Sequence, residues 1–155
     1  QNFEYNIYQG LLQSLEKIKK YQQTNLVLSS KSFQYTPDGI IHGFTKFCTE
    51  NDLVFDIIPD LDDDYDLQVH QAYIVFREYD LIKMINWTTK NKLKVGKDIG
   101  IISYDDTPLK EIIAEGISVI SNDFKKMGER AAEMILNHEK GRESNDFYFI
   151  DRGSL

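Results

Sequence analysis

The spacing of apolar positions changes several times along this chain, and each change marks an element. Over 6–22, Tyr8, Leu11, Leu12, Leu15 and Ile18 recur at helical intervals. Gln13, Glu16, Lys17, Lys19 and Lys20 take the opposite side, which predicts one amphipathic helix. Thr24-Asn25 breaks that pattern, and Leu26-Val27-Leu28 reads as a short buried strand running into Ser29-Ser30, with a loop over 31–35. Thr36-Pro37-Asp38 predicts a helix start, with Thr36 as cap and Pro37 at the first helical position. That helix carries Ile40, Ile41, Phe44, Phe47 and Cys48, and closes at Glu50-Asn51-Asp52.

From there strands and helices alternate. Strands are predicted over 53–58, 72–76, 99–104, 117–120 and 147–150. Between them come a weak helical turn over 67–71 and helices over 80–92, 109–115 and 124–138. Thr107-Pro108 repeats the cap-then-proline signal before the second of these helices, and Ser121-Asn122-Asp123 caps the third. The third has an apolar stripe of Phe124, Met127, Ala131, Met134 and Ile135. The pattern predicts an α/β fold in three layers, with a mostly parallel, doubly wound sheet.

Composition narrows the function classes. With 155 residues, 41% hydrophobic and 28% charged, the chain can form a soluble domain with a core. A net charge of −7 argues against direct grip on a nucleic-acid backbone. No apolar run reaches the roughly 20 residues of a membrane span, and no signal-peptide pattern is visible. The one cysteine, Cys48, leaves no internal disulfide and fits a reducing, cytoplasmic compartment. Gln1 is not a natural start, so a segment of a longer protein is expected.

Catalytic and cofactor signatures are missing. Gly96, Gly100 and Gly116 make neither a dinucleotide fingerprint nor a phosphate loop. His42, His70 and His138 lack metal-ligand spacing. Asp60, Asp62 and Asp64 have the alternate spacing of a calcium loop, but Tyr65 replaces its turning glycine and Gln71 its bidentate glutamate. Cys48 lies on an apolar helix face, as a core residue does. No catalytic residue, metal or cofactor is therefore predicted.

Polar groups at strand ends remain: Ser29 and Ser30, Arg77 and Glu78, Asp105 and Asp106, and Asn122. In a parallel sheet these gather at the carboxyl edge, where open α/β sheets bind ligands. Carboxylates accept from adjacent hydroxyls, Arg and Asn donate, and a nearby ring covers a sugar face. The same residues could simply cap helices. Side chains alternate along a strand, so Asp105 and Asp106 cannot both enter one crevice: one faces a ligand while the other tethers the following loop. A further alternative is an enzyme holding Mg²⁺ between them to act on a phosphorylated substrate.

The run Val95-Gly96-Lys97-Asp98-Ile99-Gly100-Ile101-Ile102-Ser103-Tyr104-Asp105-Asp106-Thr107 resembles the signature of the lactose/galactose-repressor (LacI/GalR) effector domains. The similarity continues through Asn122-Asp123-Phe124 and Met127-Gly128-Glu129-Arg130-Ala131-Ala132 to the tail Asp151-Arg152-Gly153-Ser154. Upstream, Gly43-Phe44 and the run from Ala72 to Met84 fit the same pattern. The resemblance implies a periplasmic-binding-protein-like fold of two lobes with a sugar or nucleobase between them. The whole chain, 1–155, looks like the C-terminal lobe, with about 121–141 crossing back to an N-terminal lobe and a DNA-binding head lying upstream. A winged-helix (GntR-type) head is suggested by Phe44-Thr45-Lys46-Phe47-Cys48. The implied function is effector binding and homodimerisation in a cytoplasmic transcription regulator that does no chemistry. A periplasmic sugar-binding protein of the same fold is the alternative.

The resemblance also implies that Asp105 contacts the effector and that Phe124 lines its pocket. Arg77 stands where the family usually has a ligand-binding Asn, and Ile40 where it usually has an Arg. Either Arg77 supplies the cation missing at Ile40, or the effector is acidic. Asp105, Arg77, Phe124, Glu78 and Asn122 are thus the predicted ligand-binding residues.

Overall fold

The computed structural model describes residues 2–28, 37–61, 65–145 and 147–155. The chain opens with helix α1 (Phe3–Gln13) and a short α2 (Leu15–Ile18), then β1 (Gln23–Val27), α3 (Asp38–Glu50) and β2 (Phe55–Ile58). It continues with β3 (Gln71–Val75), α4 (Glu78–Lys90), β4 (Gly100–Tyr104), α5 (Pro108–Ile112) and a 3₁₀ turn over Ile113–Glu115. β5 (Ser118–Asn122), α6 (Phe124–Leu136) and β6 (Phe147–Ile150) complete it. The strands form one sheet in the order β2-β1-β3-β4-β5-β6. The first five are parallel and β6 runs antiparallel to β5.

Strand alternation divides the core between the two faces of the sheet. Ala72 and Ile74 of β3, with Ile102 and Tyr104 of β4, pack against Ile7 and Leu11 of α1 and Phe44 and Phe47 of α3. Tyr73 and Val75, with Ile101, pack on the other face against Leu81 and Met84 of α4. Ile40 and Cys48 belong to the first cluster. Desolvation pushes the Cys48 thiol up to about 12, so it stays protonated and packs as a hydrophobe.

Four local expectations change. The helix predicted over 6–22 is interrupted at Ser14, whose N–H and hydroxyl both donate to the Leu11 carbonyl at 3.0 and 2.9 Å, ending α1. Pro37 is the N-cap of α3 rather than its first helical residue, because its extended ψ of 135° lies outside the helix. Thr107 caps α5 in position only: its hydroxyl donates to Glu78 Oε1 at 3.2 Å instead of accepting from the helix. No helical turn forms over 67–71; His70 there adopts a positive φ of 59° and its N–H donates to the Asp98 carbonyl, which starts β3 directly. The strand-end residues Ser29 and Ser30, the loop predicted over 31–35, the cap Thr36, and Asp62 and Asp64 of the acidic loop lie outside the described residues.

Helix α6 stands apart. Asp123 caps it by accepting from the Lys126 N–H at 2.8 Å, yet none of its residues is buried. The helix does not pack back onto this sheet, and the chain returns beside β5 as the antiparallel β6.

Candidate functional site

The carboxyl ends of β3, β4 and β5 meet at one edge, and the two carboxylates after β4 divide there. Asp105 adopts a left-handed φ of 57°, and its N–H donates to the Ile120 carbonyl at 2.8 Å. A left-handed non-glycine residue is strained by on the order of 1 kcal/mol or more, and persists only where its surroundings hold it. This turn carries the Asp105 carboxyl to Asn122, whose Nδ2 donates to Oδ1 at 3.5 Å. Burial raises the Asp105 pKa above the usual carboxylate range, opposed by the Asn122 hydrogen bond and the charge of Lys110.

Asp106 is paired with the C-terminal tail. Arg152, from the C-terminal tail, donates to it through Nη1 and Nη2 at 2.9 and 2.7 Å. The Asp106 N–H donates to Ser121 Oγ at 2.9 Å. Bidentate Arg–carboxylate pairing fixes geometry as well as charge. The tail is sewn in further along: Ser154 Oγ donates to the Ile101 carbonyl at 2.6 Å and accepts from the Ser118 N–H at 2.7 Å. Asp106 is thus the tether and Asp105 the residue left facing the edge. Both Asp106 oxygens are engaged by Arg152, whose positive charge counts against a Mg²⁺ ion shared by the two carboxylates.

The predicted site residues are brought together unevenly. Asn122 and Phe124 line an open cleft of about 280 Å³ together with Asp106, Ser121 and Tyr148. Phe124 is half-exposed at the start of α6. Asp106 and not Asp105 lines this cleft; Asp105 lies behind it, in contact with the lining residue Asn122, and Glu78 reaches the same edge through Thr107. Arg77 is committed in another direction: its Nε and Nη2 donate to the two carboxylate oxygens of buried Asp80, both at 2.8 Å. Ile40 is a core residue, 2% exposed.

Two residues of the site have no forecast in the sequence. Arg152 sits in a tail 46 positions from its partner Asp106. The hint was the Asp-Arg-Gly-Ser run, which only the resemblance made notable. Lys110 is 2% exposed, and its ammonium donates to the carbonyls of Tyr104 and Asp105 at 2.9 and 2.7 Å. Nothing in Leu109-Lys110-Glu111 distinguishes it from a surface lysine. Among the described residues, no group of three or more His, Cys, Asp or Glu side chains could hold a metal ion, and no helix is long and apolar enough to cross a membrane.

The mostly parallel sheet, with its polar carboxyl edge, defines an α/β lobe. Residues 19–153 match the periplasmic binding protein-like domain, and the chain belongs to that family. A 61-residue stretch is 33% identical to the HTH-type transcriptional regulator KdgR of Bacillus subtilis; it covers 39% of this chain and 18% of that protein. Among solved structures, the probable maltose operon repressor MalR of Staphylococcus aureus superposes with a TM-score of 0.70 at 18% identity, over 96% of this chain and 59% of that one. The Lac repressor bound to ONPG gives 0.66 at 18% identity, over 99% and 51%. A periplasmic binding protein/LacI transcriptional regulator from Alkaliphilus metalliredigens, complexed with D-xylulofuranose, gives 0.73 at 15% identity, over 99% and 63%. The chain therefore spans little more than half the length of these structural relatives, and shares their mostly parallel α/β fold.

Proposed function

We propose that this chain is the effector-binding and dimerising C-terminal lobe of a cytoplasmic transcription regulator, and that its effector is a carbohydrate or similar polyhydroxylated small molecule. The observation that carries this reading is the division of labour at the β4 edge. Asp106 is consumed by Arg152, while Asp105 is held in a strained turn beside Asn122 and the ring-lined cleft of Phe124. An acceptor, an amide and an aromatic ring at one edge match adjacent hydroxyls and the apolar face of a sugar. The matched relatives include regulators, and one of them is complexed with D-xylulofuranose.

The unburied helix α6 supports the crossing of residues 121–141 toward an N-terminal lobe outside this chain. DNA contact belongs to a head that is likewise outside it, since this segment is acidic. For the homodimer, the supporting feature is the exposed apolar set Tyr79 and Ile82 on α4 with Leu109 and Ile112 on α5. Ligand closes the lobes and shifts the DNA-competent population by no more than its differential affinity for the two states.

The test is a thermal-shift screen of sugars and sugar acids on the full-length protein, followed by calorimetry with the Asp105→Ala variant. Loss of binding with the fold intact supports the reading; unchanged affinity removes Asp105 from the site. The family's description favours one second reading, an exported sugar-binding protein of the same fold. The upstream gene sequence separates the two: a basic helix-turn-helix head supports the regulator, and a signal peptide the exported protein.

A further inference from the structure

Lys110 is an expensive residue for its position. A lysine is almost never fully buried without compensation, and this one lies beneath the β4 edge at 2% exposure. Its main chain is fixed on both sides, with its N–H donating to the Thr107 carbonyl at 2.9 Å and its own carbonyl accepting from the Ile117 N–H at 2.7 Å. Its ammonium donates to the Tyr104 and Asp105 carbonyls, the last of β4 and the next beyond it. Those carbonyls flank the residue with the left-handed φ. The charged groups around the ammonium are Glu78 from α4, Asp105 and Asp106 from the loop, and Arg152 from the tail.

We propose that Lys110 is the positioning residue of the Asp105 site: its ammonium grips the two carbonyls, and so fixes the left-handed turn that aims the Asp105 carboxyl at Asn122. The inference rests on the effector reading only in treating Asp105 as the ligand-facing group. A neutral side chain of the same length could fill the space, but it could not satisfy both carbonyls or place a positive charge behind a half-buried carboxylate. The lysine accepts a desolvation cost, which lowers its own pKa, and its charge in turn favours the ionised Asp105.

The test is a carboxyl-carbon NMR titration of Asp105 in the full chain and in Lys110→Met, with the signal assigned from Asp105→Asn. In the variant, the Asp105 midpoint is expected to move upward, and its HN–Hα coupling to leave the value that a φ of 57° gives. A folded variant with both quantities unchanged overturns the proposal. Should Lys110→Met fail to fold, the wild-type chain supplies the measurement. On alkaline titration, the Asp105 amide and Asn122 side-chain signals are expected to inflect at the midpoint of the Lys110 Nζ signal. Deprotonation of Lys110 that moves neither overturns the proposal. These readouts need no ligand, so they fail independently of the effector reading, whose own failure is an Asp105→Ala variant with unchanged affinity.

Discussion

Asp105 and Asp106 are chemically identical neighbours with different partners, and backbone geometry separates them. The sequence made the division legible, because consecutive side chains near a strand end point apart. Alternation alone did not say which carboxylate does which; the family resemblance pointed to Asp105 for the effector, and the pairing of Asp106 depends on Arg152 arriving from the far end of the chain. Lys110 was illegible for a related reason: its burial is decided by the turn above it rather than by its neighbours in sequence. The cost of this arrangement is measurable. The folded pKa of Asp105 lies above its ordinary value, so its contribution to stability is greatest below the ordinary carboxylate range and is lost as pH rises through the folded pKa. At neutral pH the charged, strained Asp105 therefore costs stability. Asp105→Asn keeps the tolerance for a left-handed φ while removing the charge, and is expected to raise stability at pH 7 by about 1 kcal/mol at the expense of effector binding. Urea denaturation at a series of pH values checks this: the gain should shrink toward acid pH, and a gain independent of pH would mean that charge is not its source.

At the level of elements, periodicity located nearly every helix and strand, and the errors fall where a polar side chain or a backbone turn took a partner that apolar spacing does not register. Ser14 turned back on Leu11 and split a helix, and Thr107 reached across to Glu78. Close helix packing was equally hidden. Gly43 lies where α3 crosses α1, and a Cβ there would fall inside contact distance of the Glu4 carbonyl oxygen and Ile7 Cγ2. One of these is backbone and the other belongs to a fully buried side chain, so neither yields easily. Gly43→Ala, which would help an isolated helix, is therefore expected to destabilise the domain by about 1–3 kcal/mol. A lowered denaturation midpoint with an unchanged m-value is the signature to look for; a rise would show that the two helices can separate without loss.

Over the whole molecule, alternation of strands and helices was enough to predict a mostly parallel sheet in three layers, but the far edge escaped the rule. A strand–helix–strand unit gives parallel strands only when the helix packs back onto the sheet. Helix α6 does not, and β6 returns antiparallel to β5. Its pattern predicted an apolar stripe, and the stripe is present, but no residue of the helix is buried. Phe124 and Met127 are 46% and 44% exposed, and Ile135 and Leu136 are 74% and 78% exposed. Covering a fully exposed large apolar side chain is worth about 1.5–3 kcal/mol, and roughly half of that for Phe124 and Met127, so the four together still favour contact with an apolar surface. The chain on its own is therefore expected to self-associate through α6. Sedimentation equilibrium of Ile135→Lys/Leu136→Lys should show an association constant at least about tenfold weaker than that of the parent, a difference of about 1.4 kcal/mol. If Tyr79→Lys/Ile112→Lys abolishes association while the α6 variant leaves it intact, the dimer forms through α4 and α5 instead, and the exposure of α6 is no driving force in this chain.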